Sequence, residues 1–101
     1  MTIRLINRDT EAELLLEGRL DSNTSEKADE AFQSIVGRFN KIILNFNDLS
    51  YLSSAGLRVL KRMYMACRQN DVDLVLTHVN RLIMEVFEMT GFAGILHIEE
   101  E

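Results

Sequence analysis

The chain has one cysteine, Cys67, among its 101 residues. A disulfide framework and a CxxC redox pair are both excluded. Long apolar runs are missing as well. The longest unbroken run covers residues 63–67, against the roughly 20 residues that a membrane span needs. Basic residues are scarce relative to acidic ones. Eleven Lys and Arg face sixteen Asp and Glu, for a net charge of −5. General nucleic-acid binding is disfavoured, because neutralising phosphates needs a basic surface. The N-terminus places Arg4 and Arg8 inside an alternating pattern, so no signal peptide and no membrane insertion are expected. Neither a Walker A nor a G-x-G-x-x-G loop occurs, which leaves a nucleotide site unsupported. His78 and His97 lack a third ligand at suitable spacing, so they are expected as core or rim residues. No metal and no cofactor are expected. Linkers, low-complexity tracts and internal repeats are absent too.

What is present is the mix of a folded domain, 47% hydrophobic and 27% charged. The length fits one domain spanning residues 1–101, enough for one core. A cytoplasmic location is the default expectation.

The hydropathy pattern predicts strands over residues 2–7 and 12–20, joined by the polar turn Arg8-Asp9-Thr10-Glu11. Ser22, Asn23 or Thr24 can cap the helix that follows, and Asn23 with Glu26 has capping-box spacing. Ala28, Ala31, Phe32, Ile35, Val36 and Phe39 recur at helical spacing. Gly37 weakens the last turn, so the helix is placed to end near Arg38. A strand over 41–47 sends Ile42, Leu44 and Phe46 one way and Ile43, Asn45 and Asn47 the other. A turn over 48–52 leads to a second helix opened by Ser53 and Ser54 and ending at Asn70-Asp71. Its inward set is Leu57, Leu60, Tyr64 and Cys67, widened by Val59, Met63 and Ala66. That places Cys67 on a packing face. A strand over 72–79 is followed by a helix capped by Asn80, with Ile83, Val86, Phe87 and Thr90 inward and Gly91 at its C′ position. A last strand covers 95–98, and Glu99-Glu100-Glu101 forms an acidic, solubilising end.

The resulting order is β-β-α-β-α-β-α-β, an α/β domain with a mixed, mostly parallel sheet. Strands buried on both faces read as continuous apolar runs. Here Glu13, Asn45, Asn47, Asp73 and Thr77 interrupt them, which predicts helices mainly on one face.

The densest functional candidate is Asp48-Leu49-Ser50-Tyr51-Leu52-Ser53-Ser54-Ala55-Gly56-Leu57. It joins a buried strand to a helix start, where unpaired N–H groups and the positive end of the macrodipole lie. Ser53, Ser54, Ala55 and Gly56 are small enough to leave the backbone open to a partner. The plainer reading is capping, with Ser53 as N-cap and Gly56 admitting close packing. Asp21 and Asp48 sit at the ends of two strands expected side by side, flanking this turn. Each either shapes a partner surface or serves an Asx turn. Arg58, Lys61, Arg62, Met65 and Arg68 form an outward stripe on the second helix. It is either a solvated face or a basic patch for an acidic partner, with Met65 as an adaptable contact.

On these residues the sequence resembles the STAS domains of bacterial anti-sigma factor antagonists (anti-anti-sigma factors). The family segment reads approximately D-x-S-x-x-D/S-S-x-G-L, and residues 48–57 fit it. Gly18-Arg19-Leu20-Asp21 with Thr24 matches a second landmark, and Gly91 to Leu96 a third. The resemblance implies a single STAS domain that works as a phosphorylation-switched binding module and not as an enzyme. It implies that Ser54, the serine before x-G-L, is the phosphorylated residue. Many members carry an acidic residue just before the acceptor. Ser53 stands there in this chain and is the alternative acceptor. The implied partners are an anti-sigma factor that is also a serine kinase of the Bergerat (GHKL) ATPase fold, and a metal-dependent serine phosphatase. The implied contact set is Asp21, Ser22, Asp48, Ser50, Ser53, Ala55, Gly56, Arg58, Arg62 and Met65. A STAS domain serving a lipid-transport ATPase or a stress-sensing assembly, without sigma-factor control, is the alternative. The start at Met1 and the end just after the last strand favour a stand-alone protein.

Enzymes fit less well. The turn resembles a hydrolase nucleophile elbow, but G-x-S-x-G needs glycine at position 52, where Leu52 stands. A response-regulator receiver would bring an acidic pair after its first strand and a lysine after its last parallel strand, and neither is present.

Overall fold

The computed structural model of the chain describes residues 1–99. Glu100 and Glu101 of the expected acidic end lie outside the described residues. The chain runs β1 (Thr2–Arg8), β2 (Glu11–Leu20), α1 (Ser25–Ile35), β3 (Lys41–Leu52), α2 (Ser54–Gln69), β4 (Asp73–Thr77) and α3 (Arg81–Thr90). A 3-10 turn (Phe92–Gly94) then leads to β5 (His97–Ile98). The sheet has the order β1-β2-β3-β4-β5. β1 and β2 pair antiparallel, and the other three pairings are parallel.

This order decides where the helices go. Each step from β2 to β5 moves one strand in the same direction. Right-handed crossovers then put α1, α2 and α3 on one face. Burial agrees. Leu14, Leu16, Ile42, Leu44, Phe46, Leu74 and Leu76 join Phe32, Leu60, Met63, Cys67, Ile83 and Phe87 in one core. Phe46 and Phe87 meet edge to face with centroids 6.2 Å apart. On the other face Glu13, Ile43 and Asn45 are half-buried. There the Asn45 amide Nδ2 donates to Glu13 Oε2 at 3.0 Å, and Arg8 pairs with Glu13 at 2.8 Å. A small polar network thus occupies part of that face, beside the buried Val75 and Thr77 of β4.

Several expected boundaries move, each for a visible reason. The anticipated Asn23–Glu26 capping box does not form. Thr24 occupies the N-cap position of α1 without a side-chain cap. Asn23 is drawn into the preceding turn, where its N–H donates to Asp21 Oδ1 at 3.0 Å. α1 stops at Ile35 rather than Arg38. The Arg38 N–H reaches back three residues to the Ile35 carbonyl, a tighter turn that closes the helix. β4 is shorter than expected, because His78 takes a left-handed backbone with φ 57° that no strand tolerates. β5 keeps only His97 and Ile98, since the Ile95 and Leu96 N–H groups turn back to the Phe92 carbonyl at the end of the 3-10 turn. In α3, Ile83 and Phe87 are buried and Val86 partly so. Thr90 is exposed, contrary to its expected inward place, and its hydroxyl donates to the Val86 carbonyl at 2.8 Å. Two helix-end expectations hold: Asn80 Oδ1 caps the Ile83 N–H at 2.9 Å, and Gly91 is left-handed at φ 83°.

The largest departure concerns β3. It does not end at Asn47 but continues through Leu52, paired with Glu17 to Leu20 of β2. Register shifts near Leu15/Glu17 and Gly18/Arg19 re-phase the ladder. Buried residues then fall at Phe46, Leu49 and Leu52, three apart instead of two. Alternation is therefore broken in the sequence where the strand persists in space.

α2 follows after a single residue. The Ser53 N–H donates to the Leu20 carbonyl at 3.0 Å. A Cβ on Gly56 would lie 2.6 Å from Leu52 Cδ1 and 2.7 Å from the Leu20 carbonyl oxygen. Only glycine lets the first turn of α2 sit this close to the ends of β2 and β3. Gly56→Ala should therefore lower stability by about 1–3 kcal/mol. Gly37→Ala, where an added Cβ meets nothing within 4 Å, should change it by less than about 0.5 kcal/mol. Urea unfolding of both variants checks this, and equal losses would contradict the packing account.

Candidate functional site

Most of the sequence-predicted residues gather around the start of α2, while Asp48, Ser50 and Met65 lie further off. Ser53 is extended, at φ −96° and ψ 177°, and its Oγ accepts from the Gly56 N–H at 3.3 Å. It is the N-cap of α2, as its type and position suggested. Ser54 is the first helical residue and is exposed. No hydrogen bond ties its hydroxyl among the described residues. The two adjacent serines therefore differ: one hydroxyl is spent on the helix and the other points to solvent. Ala55 is half-buried beside them, and Gly56 is buried.

The turn between β2 and α1 lies alongside, because Leu20 and Leu52 are register partners. Asp21 Oδ1 holds the Asn23 N–H, which makes the Asx turn weighed from the sequence. The Thr24 hydroxyl donates to the Arg19 carbonyl at 2.8 Å and accepts the Asp21 N–H at 3.0 Å. Burial alone would raise the Asp21 carboxyl. The hydrogen bond from Asn23, followed by the Arg19 guanidinium and the Thr24 N–H, outweighs it and holds the group below the ordinary aspartate range. Asp21 thus stays an anion at neutral pH beside the positive end of α2. Ser22 is exposed on the same turn.

Asp48 departs most from its expected place. It sits within β3 opposite Glu17, not at a strand end, and makes no Asx turn. Its Oδ1 accepts from Asn47 Nδ2 at 3.1 Å. At ~3.3 Å per residue it lies about 13 Å back along the strand from Leu52. Asp21 and Asp48 therefore do not flank the serines as a pair. Ser50 is also spent on structure, its hydroxyl donating to the Gly18 carbonyl at 2.9 Å.

Arg58, Lys61, Arg62, Met65 and Arg68 are all exposed along α2. Arg62 is partly engaged, with Nη2 3.0 Å from Asp29 Oδ2 on α1. Arg68 Nη1 donates to the Tyr64 hydroxyl at 3.0 Å. Arg58 and Lys61 form no ion pair among the described residues. Met65 is 47% exposed and lies about 16 Å down the helix from Ser54 at 1.5 Å per residue.

Sequence reasoning missed Arg19 and Tyr51. The Arg19 guanidinium lies 4.1 Å from the Tyr51 ring centroid and 3.4 Å from Asp21 Oδ2. Their pairing follows from the register Arg19↔Tyr51, which is invisible while residues 48–52 are read as a turn. His78 and His97 are exposed, so they are rim residues and not core. No group of three potential metal ligands occurs among the described residues, and no described helix is long and apolar enough to cross a membrane. Burial pushes the Cys67 thiol up to about 11, which suits packing and not thiolate chemistry.

The STAS domain family model matches residues 5–101. The chain belongs to the STAS family. The anti-sigma-B factor antagonist of Listeria monocytogenes is 27% identical over 101 residues, covering 98% of this chain and 89% of that protein. An anti-sigma factor antagonist from Mycobacterium paratuberculosis superposes with a TM-score of 0.89 at 15% identity, over 99% of this chain and 86% of that one. The phosphorylated form of the Bacillus cell fate determinant SpoIIAA gives 0.76 at 19%, over 99% and 93%. At these identities the two structures speak for the fold, and the expected STAS architecture with its element order is borne out.

In this STAS domain the two serines should separate by stability. Ser53→Ala removes the α2 cap and should cost about 1 kcal/mol. Ser54→Ala touches no hydrogen bond and should stay within about 0.5 kcal/mol. Denaturant midpoints check this, and the reverse order would overturn the assignment of roles.

Proposed function

We propose that this STAS domain is an anti-sigma factor antagonist whose partner binding is switched by phosphorylation of Ser54. In this reading the unmodified domain holds an anti-sigma factor that is also a Bergerat-fold serine kinase. The phosphorylated domain releases it, and a metal-dependent serine phosphatase resets the switch. The curated relative named as an anti-sigma-B factor antagonist, matched over nearly the whole chain, supports the class of function. The observation that carries the choice of residue is the division of labour between the serines. Ser53 is the helix cap, whereas Ser54 is exposed with an untied hydroxyl.

The chemistry follows from charge. A phosphoserine carries about −1.5 to −2 charges at neutral pH. Negative charge at a helix N-terminus is favoured by roughly 0.3–1 kcal/mol at exposed sites. The modification therefore leaves the fold intact, and its cost falls on the interface. There a dianion must lose hydration and meet a surface shaped for a hydroxyl. A loss of about 3 kcal/mol corresponds to about 100-fold in affinity, at 1.4 kcal/mol per tenfold. Asp21, Ser22, Ser53 and Ala55 form the contact surface nearest the switch, with Arg58, Arg62 and Met65 extending it along α2. Gly56, expected among the contacts, is buried against Leu20 and Leu52 and acts only by letting the helix start sit close. Ser50 and Asp48 lie further down β3, on its margin.

Incubation with the cognate anti-sigma kinase and ATP, followed by fragmentation mass spectrometry, tests the proposal. Phosphate should appear on Ser54, persist in Ser53→Ala and vanish in Ser54→Ala. Ser54→Glu should weaken the kinase complex about 100-fold. Phosphate on Ser53, or a Ser54→Glu protein that binds as tightly as the parent, would contradict it. Copurification with a transporter ATPase and no phosphate on Ser54 would favour the transport-linked alternative.

A further inference from the structure

Ser54 heads the exposed stripe of α2. Arg58, Lys61, Met65 and Arg68 follow it at four, seven, eleven and fourteen residues, spacings that share one helix face. α2 has no acidic residue in its first turn, whereas α1 has Glu26 there. The positive end of the α2 macrodipole is thus uncompensated by its own side chains. Of the arginines on the stripe, Arg62 is held by Asp29 and Arg68 by Tyr64. Arg58 has no such partner among the described residues and stands one turn below Ser54. An anion placed N-terminal to a cation at this spacing is the favourable orientation of the pair.

We infer that a phosphate on Ser54 is clamped by Arg58 of the same helix, which withdraws Arg58 from the basic stripe that the unmodified domain offers to an acidic partner surface. The inference rests on the Ser54 reading above and adds its regulation. The phosphate supplies the charge that the first turn of α2 lacks and takes the Arg58 guanidinium in a charge-assisted, bidentate pair. Release of the partner then has two sources: the dianion at the centre of the contact, and the loss of one cation beside it. Arg58 is a positioning residue for the phosphate, and the hydroxyl needs no such support.

The test uses full-length protein with phosphoserine installed genetically at position 54, so that it does not depend on any kinase. The phosphate second ionisation, near pH ~6 for phosphoserine, is followed by phosphorus NMR. In the parent it should lie about half a unit below its value in Arg58→Gln, the scale of a strong i,i+4 pair. Lys61→Gln should titrate like the parent. The rise in melting temperature on phosphorylation should be smaller in Arg58→Gln than in the parent, the remainder coming from the helix macrodipole. Superimposable titrations of all three proteins, or a Lys61→Gln shift as large as that of Arg58→Gln, would overturn the clamp. Partner binding by the phosphorylated parent is scored separately. Undiminished binding would sink the Ser54 switch itself, while the clamp would still be decided by the titrations.

Discussion

The contact on which the site depends is the one between the first turn of α2 and the end of β2. The Ser53 N–H reaches the Leu20 carbonyl, and the missing Cβ of Gly56 leaves room for that same oxygen and for Leu52. With any larger residue at 56, the helix start would have to lift away from the sheet. Seated this closely, Ser53 is fixed as the cap and Ser54 becomes the first residue with nothing structural left to do. The position of an exposed hydroxyl is thus set by a backbone-to-backbone approach rather than by contacts of the hydroxyl itself.

The rest of the fold supports this arrangement by keeping α2 still. Its inner face buries Leu57, Val59, Leu60, Met63 and Cys67 against the helix-covered side of the sheet. The Arg62–Asp29 pair joins it to α1 at the exposed margin. The Asp21–Thr24 turn, closed by its own side chains, forms the neighbouring wall. A charge added at Ser54 has few ways to move these elements. Regulation by a change of surface, with the core unchanged, is what such a scaffold favours.

Much of this was legible in the sequence. The order of elements, the one-sided helical layer, the caps at Ser53 and Asn80 and the left-handed Gly91 all follow from spacing and residue type. The serine segment stood out by its density of small residues at a strand-to-helix junction. Residues 48–52 were misread because bulges change the period of burial from two to three, and period is what a sequence displays. That error hid the Arg19–Tyr51 pair and placed Asp48 at a strand end it does not occupy. Asn23 misled for a related reason. Its type suits a cap, but the Asp21 side chain claims its N–H first, and competition between turns is settled only in three dimensions.

The central claim is that Ser54 is a site of purely local change on a scaffold that does not respond. Comparing amide proton–nitrogen NMR spectra of the unmodified and the Ser54-phosphorylated protein tests it most directly. Shifts confined to the first two turns of α2 and the adjoining Asp21–Thr24 turn are the predicted result. Shifts spreading through β4 and α3 would contradict it.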